Sequence, residues 1–207
     1  PYVESVAVLP ALLAGTSHAH RIDAIASGEQ VATLAVLPTA PYAVDAAAAD
    51  AVFLLDGDVL HEAATGPDIA SVDRARRLAE VTVGTRICTV RDVARAVDVG
   101  ALATAAQLLG AGQAALEAAT DYAKSRAQFG KPIGSFQAVK HQLADALVGL
   151  ELARPLLFAA ALAVAGECSD RTRDVSAAKV ACTDAARVNI LAYPLALLLS
   201  RPQVLSI

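Results

Sequence analysis

The sequence predicts an α+β fold that is mainly α: a four-helix-bundle C-terminal domain, preceded by a small antiparallel β region and a short N-terminal helical segment. Three observations carry this expectation. Apolar residues recur at steps of three and four through 99–160, which places them on one face of a helix. Short apolar or alternating runs separated by turn residues fill 31–90, as strands do. Helical spacing is also found in the first fourteen residues. The predicted division is therefore 1–30 helical, 31–90 β and 91–207 helical bundle. A chain of 207 residues, 56% hydrophobic and 18% charged, has the composition of a globular protein with a sizeable core.

Taken in order, residues 2–14 read as a helix with Val3, Val6, Leu9, Leu12 and Leu13 on one face and Gly15 as its stop. His18 and His20 follow in a polar connector, and 21–30 add one or two further helical turns. The segments Ala32-Thr33-Leu34-Ala35-Val36-Leu37, Ala51-Val52-Phe53-Leu54-Leu55 and Ala79-Glu80-Val81-Thr82-Val83 are strand-like. Pro38, Pro41, Asp56-Gly57-Asp58 and Gly66-Pro67 separate them as turn signals. Asp56-Gly57 before Val59-Leu60-His61 predicts a hairpin. Asp56 and Asp58 do not continue into a calcium loop, because the later glutamate is missing.

Two long helices come next. Leu102, Ala105, Leu109, Gly112, Leu116, Ala119 and Ala123 form the stripe of the first. The second carries Phe136, Val139, Leu143, Ala146, Leu150, Ala153, Leu157 and Ala160. A short loop joins them, so they turn back on each other, and their alanines and glycines allow close approach. Ser135 is placed to cap the second helix. Pro155 should kink it. A third helix is predicted over 175–188, and a short fourth one after a break at Pro194.

Polar residues collect where the two helices turn. Lys124, Arg126, two glycines and a helix N-terminus could hold an anionic group such as a pyrophosphate. The same features also read as an ordinary helix end, with cations complementing the C-terminal dipole and glycines making the turn.

Several function classes lose support. A formal net charge of −4 without a dense Lys/Arg run argues against nucleic acid as a partner. Cys88, Cys168 and Cys182 are odd in number and far apart, which suits reduced packing thiols in a cytoplasmic protein better than disulfides or zinc. His18 and His20 have no second ligand pair nearby, so no metal is expected. No signal-peptide pattern opens the chain. The longest uninterrupted apolar stretch, 155–166, is shorter than the roughly 20 residues a bilayer span needs, so no membrane span is expected. The sequence has no methionine and begins with Pro1, which suggests a longer translated product.

The run Ala123-Lys124-Ser125-Arg126-Ala127-Gln128-Phe129-Gly130-Lys131-Pro132-Ile133-Gly134-Ser135-Phe136-Gln137-Ala138-Val139-Lys140-His141 resembles the signature loop of the acyl-CoA dehydrogenases. Leu108-Leu109-Gly110-Ala111-Gly112-Gln113-Ala114-Ala115-Leu116 resembles that family's helix entering its C-terminal four-helix bundle. The likeness covers about eighty residues. It implies an FAD-dependent oxidoreductase of fatty acid or lipid metabolism that desaturates an acyl-CoA thioester and passes electrons to an acceptor. It also implies a homo- or hetero-oligomer of related subunits. By the same resemblance Arg126 would bind the FAD pyrophosphate, and Gln128, Phe129 and Gln137 would lie against the cofactor, often that of a neighbouring subunit. Residues 1–30 would be the remnant of an N-terminal helical domain.

Asp98 stands near the position where the family contacts acyl-CoA, with Ala101 where an arginine is expected; Asp98 reads equally as an N-terminal helix cap. Three family features are missing from the sequence. A glycine-rich, histidine-containing segment is not found between the last helices. Around Ala35-Val36-Leu37-Pro38-Thr39 the flavin-cradling loop has no counterpart. No glutamate matches the catalytic base, since neither Glu151 nor Glu167 fits, and the catalytic residue is left unassigned. Three readings follow: an acyl-CoA dehydrogenase with an incomplete chain, a non-catalytic partner subunit of a hetero-oligomeric dehydrogenase, or a structural bundle subunit without flavin.

Overall fold

In the computed structural model, residues 1–166 and 170–198 are described, and the chain divides into two compact units, 1–100 and 101–207. The first unit opens with a helical segment wound as a π-helix over Glu4–Val8 and as helix α1 over Leu9–Leu13. Helix α2 (Arg21–Ser27) ends on Gly28 in the left-handed conformation. Five strands follow: β1 (Ala32–Leu37), β2 (Ala43–Val44), β3 (Ala51–Asp56), β4 (Val59–Ile69) and β5 (Leu78–Thr89). Their order in the sheet is β1-β3-β4-β5-β2.

The sheet is antiparallel save for one pair, since β1 runs parallel to β3 with Ala32 opposite Ala51. The hairpin at Asp56-Gly57 forms as expected, with Asp56 opposite Val59 and Gly57 at φ +58. Gly66-Pro67 does not turn the chain. Strand β4 continues through both residues, and its register with β5 shifts between Thr65 and Asp68. A proline has no N–H to offer a ladder, and such an irregularity is where a strand tolerates one. Leu9, Leu12, Leu13 and Ile25 pack with Phe53, Leu55 and Leu60 in one buried cluster. The helical 1–30 and the strands of 31–90 thus share a core.

The second unit is helical. Helix α3 (Val93–Ser125) begins before the division between the units. A two-stranded ribbon of β6 (Ala127–Gln128) and β7 (Lys131–Pro132) follows, then a 3₁₀ turn over Ile133–Ser135. Helices α4 (Gln137–Ala165) and α5 (Arg171–Leu198) complete the described residues. The predicted stripes are the buried ones. Ala105, Leu109 and Leu116 of α3 meet Ala146, Leu150 and Ala153 of α4 and Cys182 and Ala185 of α5. Small residues set how close the helices come, and a methyl on Gly112 would lie 2.9 Å from Leu150 Cδ2 and 3.1 Å from Ala186 Cα.

One helix expectation is corrected. Helix α5 runs unbroken through Pro194 to Leu198, so the break placed there is not seen and the described residues hold three long helices. Helix α4 carries Pro155 inside it and runs to Ala165, as the stripe through Leu157 and Ala160 requires. Around Pro155, Ala153 of α4 packs with Cys182 and Ala185 of α5, and such packing outweighs a local preference. Glu167 and Cys168 lie outside the described residues.

Helices α3 and α4 are each long and apolar enough to cross a membrane by length and composition. Uninterrupted apolar runs in both helices are short because a single polar residue ends such a run without making a helix polar on average. About a quarter of each such window is buried inside the single chain.

Candidate functional site

The turn between α3 and α4 is built from backbone upward. The carbonyl of Tyr122 accepts from Arg126 N–H at 2.9 Å, and the Arg126 carbonyl accepts from Ile133 N–H at 2.8 Å. Between these anchors Ala127 pairs with Pro132 and Gln128 with Lys131. Phe129 and Gly130 form the tip, at φ +53 and +78. Two successive positive φ values are the signature of the hairpin turn that matches strand twist. For phenylalanine this conformation costs on the order of 1–3 kcal/mol, and the side chain it presents is 75% exposed.

The rest of the loop is held tightly. A side chain on Gly134 would come 3.0 Å from the Ala123 carbonyl oxygen, so glycine lets the chain return against the end of α3 without pushing that carbonyl aside. The Phe129 ring meets the Phe136 ring edge-on at 6.2 Å, and Lys131 Nζ sits 4.5 Å from the Phe136 ring centroid. Ser135 does not cap α4 as expected: it belongs to the 3₁₀ turn, its Oγ donates to the Pro132 carbonyl at 2.7 Å, and α4 starts at N-cap Phe136 with no side-chain cap.

Arg126, Gln128, Phe129 and Gln137 are therefore brought together on one ribbon and the helix start behind it. Arg126 and Gln128 are half-buried and Gln137 is exposed at the first residue of α4. From residue 122 to 144 the sequence carries Lys124, Arg126, Lys131, Lys140 and His141 and no acid. Lys124 pairs with Asp121 at 3.5 Å. A guanidinium, an ammonium, two amides and an uncapped helix start offer donors to phosphate, and the exposed Phe129 offers a ring face, a set suited to a phosphate-bearing aromatic cofactor. The residues present fit the pyrophosphate part of FAD.

Asp98 is not part of this turn. It lies in the first unit, in the second turn of α3, and is 5% exposed. It does not cap the helix either, because Asp92 does so, its Oδ1 accepting from Arg95 N–H at 2.8 Å. Glu151 is exposed and paired with Arg154 at 3.1 Å, the surroundings of a surface ion pair. The rings of His18 and His20 lie 6.1 Å apart, and the described residues contain no group of three His, Cys, Asp or Glu side chains fit for a metal. Burial raises the Cys182 thiol above its ordinary value, with Lys179 acting in the opposite sense.

Sequence reasoning overlooked a cavity of about 480 Å³ in the first unit, lined in part by His20, Arg21, Gln30, Asp50 and Glu62. Its charges are already engaged. Arg21 pairs with Glu62 at 2.8 Å and lies 5.6 Å from the Phe53 ring centroid, while Asp50 accepts from Val31 N–H at 2.8 Å. No local pattern signals such a site, since its walls come from distant segments.

A helical bundle with this hairpin between two of its helices is what the comparisons place in a known family. The model of the acyl-CoA dehydrogenase C-terminal domain matches residues 90–191. Acyl-CoA dehydrogenase IpdE2 of Mycolicibacterium smegmatis is 34% identical over 138 residues, which are 66% of this chain and 43% of that protein. Among solved structures, the ChsE4-ChsE5 complex from Mycobacterium tuberculosis superposes with a TM-score of 0.76 at 22% identity, over 95% of this chain and 65% of that one. Butyryl-CoA dehydrogenase from Megasphaera elsdenii gives 0.73 at 21%, over 91% and 64%. This chain belongs to the acyl-CoA dehydrogenase family. It spans a little under half the length of the two mycobacterial IpdE2 proteins, 43% and 48%.

Proposed function

We propose that this chain is part of an FAD-dependent acyl-CoA dehydrogenase that introduces an α,β double bond into an acyl-CoA thioester. The observation that carries the reading is the Arg126–Gln137 turn, with its strained exposed Phe129 and its acid-free run of cations, set between two helices of the family's bundle. FAD, when bound, supplies the acceptor for the β-hydride. Arg126 binds its pyrophosphate, Gln128 and Gln137 give amide donors, and Phe129 covers apolar ring surface. Removal of the α-proton needs a carboxylate, and Glu151, tied to Arg154 on the surface, is not that base. Asp98 is proposed to contact the acyl-CoA.

A partner role is the second reading, and a similar solved structure bears on it. The described residues bring the cofactor-holding turn without an identified base, and a similar structure is a complex of two related names, ChsE4-ChsE5. In that arrangement this chain completes the FAD site of a competent neighbour. Oligomerisation suits either reading, because Leu147, Val148, Leu152, Leu156, Phe158 and Leu162 of α4 are all exposed in the single chain.

The test is flavin retention. Arg126→Ala removes a charge-assisted hydrogen bond of roughly 1.5–3 kcal/mol, so FAD affinity should fall about ten- to a hundredfold. Flavin absorbance after gel filtration reads this directly, for the chain alone and mixed with a competent homologous dehydrogenase. Equal flavin content in wild type and variant would remove Arg126 from the site.

A further inference from the structure

The β6–β7 register places a residue in the anion-holding group that neither the motif nor the helix ends single out. Directly paired residues on adjacent strands project to the same side of the ribbon. Lys131 is paired with Gln128, and Arg126 precedes Gln128 by two residues, so it repeats the same side. The Arg126 carbonyl bond to Ile133 N–H extends the ladder by one step and keeps that alternation. Arg126, Gln128 and Lys131 thus share one face.

Lys131 is also held rather than loose. Its Nζ lies 4.5 Å from the centroid of the Phe136 ring, and Phe136 is fixed by its N–H bond to the Ile133 carbonyl at 3.1 Å and by the edge-on Phe129 ring. Among the described residues Lys131 forms no ion pair, and the acids closest to it in sequence are Asp121 and Asp145. An ammonium fixed by a ring yet lacking a counter-ion keeps its charge available to an anion.

We propose that Lys131 is a further cofactor-binding residue: with Arg126 it forms a two-point clamp on a diphosphate, Gln128 lying between the two cations. This rests on the FAD reading above. Arg126 supplies the planar fork and Lys131 a point charge, so the pair neutralises the two charges of a pyrophosphate.

The experiment compares FAD affinity, by flavin fluorescence titration, for wild type, Arg126→Ala, Lys131→Met and Lys131→Arg, each at two salt concentrations, with inorganic pyrophosphate as competitor. A partly solvated lysine–phosphate contact predicts about a fivefold loss for Lys131→Met. Its affinity should also fall less steeply with salt than that of wild type. Pyrophosphate should compete less well against it, and Lys131→Arg should recover most of the loss. A merely structural role would lower the melting temperature of Lys131→Met and leave its salt dependence unchanged. Wild-type affinity and salt dependence in Lys131→Met, beside a loss in Arg126→Ala, would overturn the clamp and leave the FAD reading standing. No FAD binding by wild type, alone or mixed with a competent homologue, would overturn both.

Discussion

Gly110 and Gly112 stand two residues apart on α3, and the same substitution should move stability in opposite directions at the two sites. A methyl at Gly110, which is exposed, meets nothing within 4 Å. Only the backbone term remains, and alanine is better than glycine in a helix interior by about 0.8–1.0 kcal/mol. Gly112 gains the same term but loses more. Its methyl would approach Leu150 Cδ2 to 2.9 Å and the Ala186 Cα to 3.1 Å. Leu150 is fully buried, so its terminal carbon has no solvent to swing into, and the Ala186 atom is backbone of α5. Overpacking of this kind costs about 1–3 kcal/mol. The net is stabilisation of about 1 kcal/mol for Gly110→Ala and destabilisation of about 1 kcal/mol for Gly112→Ala. In melting temperature that is roughly +2 to +4 °C and −2 to −4 °C for a chain of this size. Thermal and urea unfolding followed by far-UV circular dichroism read both. A Gly112→Ala variant as stable as wild type would refute the close three-helix contact on which the bundle's packing is argued.

Two further outcomes follow from the second unit. The exposed face of α4 should be covered in an oligomer, so Leu152→Asp with Phe158→Asp, which removes about 3 kcal/mol or more of apolar burial, should weaken association over a hundredfold. Sedimentation velocity checks this, and a wild-type monomer at about micromolar concentration would contradict it. Cys182 gives a pH dependence. Its thiol is raised by burial, so the unfolded chain ionises first. The stability from this group is complete below the ordinary thiol value of 9.0 and is lost as pH rises through the higher folded value. Urea unfolding from pH 7 to above pH 9 should show the fall, and Cys182→Ala should flatten it. A slope unchanged in the variant would assign the dependence elsewhere.

What the sequence determined by itself is what local periodicity and turn chemistry encode. The stripes through Ala105, Leu109, Gly112 and Leu116, and through Ala146, Leu150 and Ala153, are buried where the three- and four-residue steps put them, because a helix repeats every 3.6 residues whatever lies around it. Asp56-Gly57 turned the chain because few residues take positive φ as cheaply as glycine. The cationic turn around Arg126 was legible for the same reason: its residues are contiguous.

Tertiary structure decided the rest. The parallel pairing of β1 with β3 and the passage of β4 through Gly66-Pro67 depend on partners far along the chain, and packing against a neighbour outweighs a local preference of a few kcal/mol. Asp92 rather than Asp98 caps α3, and Ser135 turns to the Pro132 carbonyl, since capping chemistry alone does not say where the backbone path enters a helix. Lys131 belongs with Arg126 and Gln128 for a reason that no spacing shows. The register of two short strands sets which side each residue takes, and a slip of one residue would have turned that charge to the opposite face.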